Sequence, residues 1–526
     1  MAGRKARHFR LGNPPALQHA EALDRIARFP LADPAAALGT GLALLRADYP
    51  EMLLPAARKL AARHPKSPEA QQLLGLAARA SGESAQALAA FRAAAALAPR
   101  DGLIAHSLAR TALEAGEPAA ALFAAAAPLA PQDSGIPLGH AAALLAEGRP
   151  GEGIALLTRI LAANPLWLDG HRSLAALAGQ MGEDPLASVT AALARHPRSA
   201  ELHHLAISLA LQARDLACGE AALGAAEAAL GPQRWLSLLA GHVASEQGNL
   251  AAADPHFAAA GDPADANEAW MHARHLIRRG EPQAAAALLE PLISAPGGNT
   301  LALWPYLALA WRMTDDPRAA WLESDPRLIG VYDIGLLPNE LAALASHLRA
   351  LHHAKAEPLD QSVRGGTQTD GNLLLRTQPP IRDLKARLLA IVERHIAQLP
   401  APEHPSPIRH PTLPAARAPV RIAGSWSVRL TDAGFHTDHV HPQGWFSSAL
   451  YVALPETLGA GAADHAGWLS LGEARDLVPC LAPLRLVEPK PGRLVLFPST
   501  LWHGTRPFPA GERLTVAFDI ARPRQD

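Results

Sequence analysis

The sequence predicts a multidomain α + β chain: an all-α solenoid of stacked helical hairpins over 1–324, a helical connector over 325–357, and a double-stranded β-helix of jelly-roll type with flanking helices over 358–526. Three observations predict it. From Ala16 to Trp321 alanine and leucine dominate, with glycine and proline at regular intervals, the mark of a repeat array. From Gly424 onward, short runs of β-formers alternate with glycine and proline turns, as in a sandwich or barrel. Between two of those runs crowd His436, Asp438, His439 and His441, and further along lie His503 and Arg513. At 526 residues the chain exceeds one hydrophobic core, so several domains are expected.

The clearest repeat is Ser67–Asp101. Leu74-Gly75 falls in a first helix, Gly82 breaks it, Ala87 and Phe91 fall in a second, and Pro99 ends the unit. The unit resembles the tetratricopeptide repeat, whose period is about 34 residues. Small Gly75 and Ala87 let the two helices approach closely, Phe91 fills the gap to the next hairpin, and Pro99 cannot continue a helix. Gly116 with Ala121, Gly148 with Pro165, Gly182 with Ala187, Gly248 with Phe257, and Trp270 with Gly280 follow in phase. Roughly seven to nine hairpins are therefore expected; no hairpin buries its apolar face alone, so they stack. The expected partner is a peptide or protein in the concave groove, and the alternative is a solenoid that only packs on the C-terminal domain. His203 and His204, adjacent on a helix, point to different faces and are read as structural.

Around Asp325–Gly335 the β-formers Ile329, Val331, Tyr332 and Ile334 enter beside Pro326 and suggest a boundary. Leu337–Leu351 reads as an amphipathic helix capped by Asn339. Pro358–Leu373 is dense in polar side chains and holds a Gly-Gly pair, so it is expected as a surface loop over the site, with Gln361, Arg364 or Gln368 touching substrate. Arg382–Gln398 reads as a second helix, and the proline-rich 399–420 as a linker.

Side chains two apart on a strand share a face. His439 and His441 can thus converge on one ion, and so can His436 and Asp438, but an extended segment sends the two pairs to opposite sides. A histidine–carboxylate facial triad is the signature of non-haem Fe(II) oxygenases, which favours His436 and Asp438. The glycine turn at Asp432-Ala433-Gly434 breaks the phase from the preceding strand, so spacing alone leaves both pairs open.

The segments LDQSVRGGTQT, GSWSVRL, GFHTDHVHPQGWFSSALYVALP and GRLVLFPSTLWHGTRPFPAGERLTVAFDI resemble a family of bacterial 2-oxoglutarate/Fe(II)-dependent oxygenases related to prolyl hydroxylases. The resemblance covers roughly Pro358 to Pro523. It implies a His-x-His-Pro motif on His439, His441 and Pro442, a distal ligand at His503 and a 2-oxoglutarate arginine at Arg513. The wider superfamily has a carboxylate where His441 stands. That leaves a three-histidine site of His439, His441 and His503, the expectation adopted here, or a site completed by Asp438 with His436. Arg513 sits in an otherwise apolar strand, where an unpaired charge is costly, and suits bidentate binding of a dicarboxylate. Thr515, on the same strand face, could donate a hydroxyl to the same group.

The implied activity is hydroxylation by Fe(II), 2-oxoglutarate and O2 of a peptide or protein side chain delivered by the repeats. The alternatives are a small-molecule oxygenase, a non-catalytic scaffold with a degenerate barrel, and a metal-dependent dioxygenase that uses no 2-oxoglutarate. A net charge of −1, from 48 basic and 49 acidic residues, argues against a nucleic-acid binder. Two cysteines, Cys218 and Cys480, exclude a disulfide scaffold. Neither a signal peptide nor a membrane span is expected, so the expected location is cytoplasmic.

Overall fold

A computed structural model of the chain describes residues 17–295, 300–402, 408–456, 458 and 465–524. The N-terminal part is an all-helical solenoid, with nineteen α-helices among the described residues from His19–Ala27 to Pro317–Glu323. Its spacing follows from small residues at the helix contacts. A Cβ on Gly75 would lie 2.8 Å from the Phe91 ring, so only glycine admits that ring; Ala87 and Phe91 are fully buried. Side chains cap many of the helices: Asp101 accepts from the amides of Leu103 and Ile104, and Ser67 from that of Ala70. Where the two helices of a hairpin meet, the chain turns through a left-handed residue. Glycine fills that place at 82, 116, 148, 182, 248 and 280.

The C-terminal part is an antiparallel jelly-roll barrel. Its strands are β1 (Gly330–Asp333), β2 (Val363–Gln368), β3 (Ile422–His439), β4 (Gly444–Ala453), β5 (Leu469–Leu471), β6 (Arg485–Val487), β7 (Arg493–Pro498), β8 (His503–Thr505) and β9 (Glu512–Ala521). They run in the order β1-β7-β4-β9-β3-β8-β5-β6, with β2 also on β3. The long β3 joins the layers: residues 422–431 pair with β9, whereas His436 and His439 pair with Thr505 and His503 of β8. Both faces of β9 are buried, with period two. Leu514, Val516, Phe518 and Ile520 pack outward under helices Pro338–Arg349 and Pro379–Gln398. The alternate residues Arg513, Thr515 and Asp519 therefore face the barrel interior, where Tyr451, Val495 and Phe497 also pack.

Three local expectations need correction. The polar stretch 363–368 is not a loop: it forms β2, paired with β3, and main-chain hydrogen bonding carries a strand whose side chains are too polar for a core. The first helix after the solenoid begins at Pro338, not beyond Asn339. Proline suits the first helical position, and Glu340 reaches back to the Leu337 amide at 2.7 Å. The Asp432-Ala433-Gly434 turn does not end its strand; β3 continues through it, with Ala433 at φ 64°. In addition, residues 330–333 pair with β7 and Leu344, Ala345 and Leu348 join the core on the outer face of β9, so the segment expected as a connector contributes to the barrel.

The solenoid packs on the barrel along one edge, turn by turn. Asp48 pairs with Arg421 at 2.6 Å, Gly82 O accepts from Lys385, and Ala115 O and Gly116 O accept from Thr377 and Gln378. Further along, Gln180 O accepts from the amides of Lys355 and Ala356, Gln212 O from that of Asp360, and Pro305 O from Trp502. No helix among the described residues is long and apolar enough to cross a membrane.

Candidate metal centre

His439 and His441 lie at the end of β3 and just beyond it, and His503 opens β8 opposite His439. One ligand atom from each of the three imidazoles lies within 4.8 Å of the others. The ring centroids of His439 and His503 are 4.1 Å apart, those of His439 and His441 4.9 Å, and those of His441 and His503 5.2 Å.

Each ring has its Nδ1 engaged. That of His441 meets both Asp519 carboxylate oxygens at 2.9 Å, that of His439 the Thr437 carbonyl at 2.8 Å, and that of His503 the Leu501 carbonyl at 3.0 Å. Carbonyls can only accept, so the proton of His439 and of His503 sits on Nδ1, and the carboxylate fixes the same tautomer in His441. That tautomer turns all three Nε2 lone pairs away from these partners, which is how metal-ligating histidines are held; among the described residues only that of His439 has a further neighbour, the Ser362 hydroxyl at 3.1 Å. Burial lowers the pKa of His439, and that of His503 to about 3, and each is lowered further by neighbouring imidazoles. Three imidazole nitrogen donors at such distances fit a divalent transition metal.

Asp438 lies outside the cluster. Its carboxylate accepts from Arg475 Nε at 2.7 Å, Arg475 Nη2 at 2.6 Å and the Arg475 amide at 2.8 Å, and its side chain is only 2% exposed. His436 is a neighbour, 6.1 Å from His439 between ring centroids, and Ser362 Oγ bridges them at 3.0 Å to His436 Nδ1 and 3.1 Å to His439 Nε2. The bulge between His436 and His439 sets this division, since the pairing with β8 shifts register there.

Arg513 is 2% exposed on the interior row of β9, its guanidinium 5.1 Å from the Tyr451 ring centroid. Among the described residues it makes no salt bridge; its Nε and the Tyr451 hydroxyl are both buried without a hydrogen-bond partner. Burial pulls the pKa of Arg513 down, yet a guanidinium stays charged near neutrality. A buried cation with free donors fits an anion with a planar carboxylate. Thr515 is buried two residues along on the same face, opposite Tyr451.

Of the other expected residues, Arg364 is partly buried near His436, donating to the Gln361 and Val363 carbonyls and lying 3.7 Å from Glu357. Among the described residues the contact of Gln361 is through its carbonyl, which accepts from Arg364. Gln368 pairs with Val428, five residues along β2 from Val363, which pairs with His436. Sequence reasoning missed Asp519, Ser362 and Tyr451. Asp519 and Tyr451 could have been found as polar groups at alternate positions of strands whose other face is apolar; nothing local marks Ser362.

Residues 424–519 match the family model described as "Putative 2OG-Fe(II) oxygenase". No curated protein matches the chain. Among solved structures, a Pseudomonas putida prolyl-4-hydroxylase is similar at 18% identity and a TM-score of 0.26, over 40% of this chain and 97% of that one. HygX from Streptomyces hygroscopicus, solved with nickel and 2-oxoglutarate bound, is similar at 14% identity and a TM-score of 0.26, over 37% and 82%. A tetratricopeptide repeat protein from Parabacteroides merdae is similar at 16% identity and a TM-score of 0.28, over 52% and 96%. The three clustered imidazoles, with Arg513 and Asp519, thus fall within the C-terminal segment 424–519, which carries the signature of that oxygenase family.

Proposed function

We propose that this protein is a 2-oxoglutarate- and Fe(II)-dependent oxygenase that hydroxylates a side chain of a peptide or protein. The observation that carries the proposal is the pairing of three imidazoles, each with Nδ1 already occupied, with a buried guanidinium that has no carboxylate of its own. His439, His441 and His503 would hold Fe(II) through Nε2. Bound iron with 2-oxoglutarate supplies the activation of O2, with decarboxylation to succinate and transfer of one oxygen to the substrate. The chain's own part is placement. Asp519 holds the His441 ring in one tautomer. Arg513, with Thr515 and the Tyr451 hydroxyl, would bind the far carboxylate of 2-oxoglutarate in a site closed to water. Gln361, Arg364 and Gln368 are kept as candidate substrate contacts, Arg364 foremost because it lies near His436.

In this proposal residues 1–324 form the recruiting solenoid, and 325–357 act with 358–526 as the catalytic unit. A small-molecule substrate is the second reading, and one observation favours it: the turn edge of the solenoid already holds the chain's own barrel. The test is succinate release by the full-length chain given Fe(II), 2-oxoglutarate and O2, followed by mass spectrometry of treated cell protein for a gain of one oxygen. No succinate from metal-loaded protein would remove the oxygenase reading; succinate without modified protein would favour the small-molecule one.

A further inference from the structure

The hairpin turns of the solenoid share one backbone pattern. At Gly182 and Gly248 the amide donates three residues back and the next amide donates five residues back, to Gly179 and Ala178 and to Ser245 and Ala244. Between them Arg214 repeats the pattern, with its amide on Leu211 O and the Asp215 amide on Ala210 O. Its φ is 58°, in the left-handed region, where the equivalent glycines lie at 78° and 80°. An L side chain is disfavoured there, so the arginine is held against the backbone preference of its own turn.

Its side chain reaches the metal centre. Arg214 Nη2 donates to Thr437 Oγ1 at 3.1 Å, and the neighbouring Gln212 O accepts from the Asp360 amide at 3.1 Å. Thr437 lies between His436 and His439: its amide donates to Ser362 O at 3.0 Å and its carbonyl accepts from His439 Nδ1 at 2.8 Å. Ser362 Oγ in turn contacts both His436 and His439. The solenoid turn at 212–214 therefore grips, on both sides, the two segments that present His439. Asp48, another non-glycine turn residue at φ 64°, also reaches the barrel, through Arg421.

We propose that Arg214 is a positioning residue for the metal centre, so that the solenoid fixes the orientation of His439 through Thr437. The inference rests on the oxygenase reading only in that His439 binds a metal. It makes the solenoid a wall of the site as well as a recruiting arm.

The test is Co(II) titration of the full-length chain, followed by visible absorbance, with thermal melting of the metal-free protein alongside. Arg214→Gly removes the side chain and suits the turn, so melting should not fall. Cobalt affinity should drop by about fivefold, less than the roughly 10–100-fold typical when a direct supporting partner is lost, and the absorbance bands should shift. Arg214→Lys, which keeps a donor, should recover part of the affinity. Unchanged affinity and spectrum in Arg214→Gly would overturn the proposal. So would an equal loss in Arg421→Ala, which cuts a solenoid–barrel tie away from the histidines. Wild-type protein that binds no cobalt would end both proposals, whereas cobalt binding without succinate formation under iron would end the oxygenase reading alone.

Discussion

The solenoid and the barrel treat buried charge differently. In the solenoid, buried cations are matched: Arg274 and Arg278 both hold Glu246, and Arg79 holds Glu114 at 2.5 Å. In the barrel, Arg513 is buried more deeply still and has no carboxylate, while three histidines crowd together. An unmatched buried cation lowers stability and persists where something else uses it. The contrast sets a region whose buried charges are paired against the region proposed to bind a ligand, and the following experiments would break or sharpen it.

The largest effect should come from His503→Ala. Losing a direct donor should cost more than the roughly 100-fold that bounds a lost supporting partner, read by Fe(II) or Co(II) titration. Normal metal binding by that variant would dissolve the contrast. Arg513→Met should raise the KM for 2-oxoglutarate by about 100-fold, in line with loss of charge-assisted bonds, measured by succinate release. The same variant should not lower the melting temperature of the cofactor-free protein, because its buried charge has no carboxylate to lose and methionine can pack on the Tyr451 ring in its place. The matching solenoid change, Glu246→Gln, should lower it.

Acid should expose a different weakness of the solenoid. Burial holds His242 at a pKa of about 4, against an ordinary 6.5. Between those values only the unfolded chain takes up the proton, so this contribution is complete above pH 6.5 and lost as pH falls toward 4. The change is roughly 3 kcal/mol, and His242→Gln should flatten it in denaturant melts across that window. Gly75→Leu should cost about 2 kcal/mol by driving a side chain into Phe91, with metal affinity unchanged. The smallest effect should be Asp519→Asn, about tenfold in metal affinity, because His441 keeps its place and loses only its charged anchor.

Much of this molecule is written in local spacing. The period of the turn glycines, the smallness of Gly75 opposite Phe91 and the apolar alternation of β9 each follow from a few neighbouring residues, and they suffice for a solenoid followed by a barrel. The clustering of His439, His441 and His503 was legible because the residue types are few and chemically suited to one task. Whether His436 and Asp438 or His439 and His441 face inward was not legible. Side-chain phase along a strand survives only while the strand is regular, and here a left-handed Ala433 and a register shift between His436 and His439 reset it. Pairing with β8 turns His439 toward His503, and an arginine distant in the sequence, Arg475, takes Asp438. The docking of the solenoid edge on the barrel was likewise decided by contacts hundreds of residues apart. Such contacts have no spacing in the sequence from which they could be read, because only the folded chain brings their partners together.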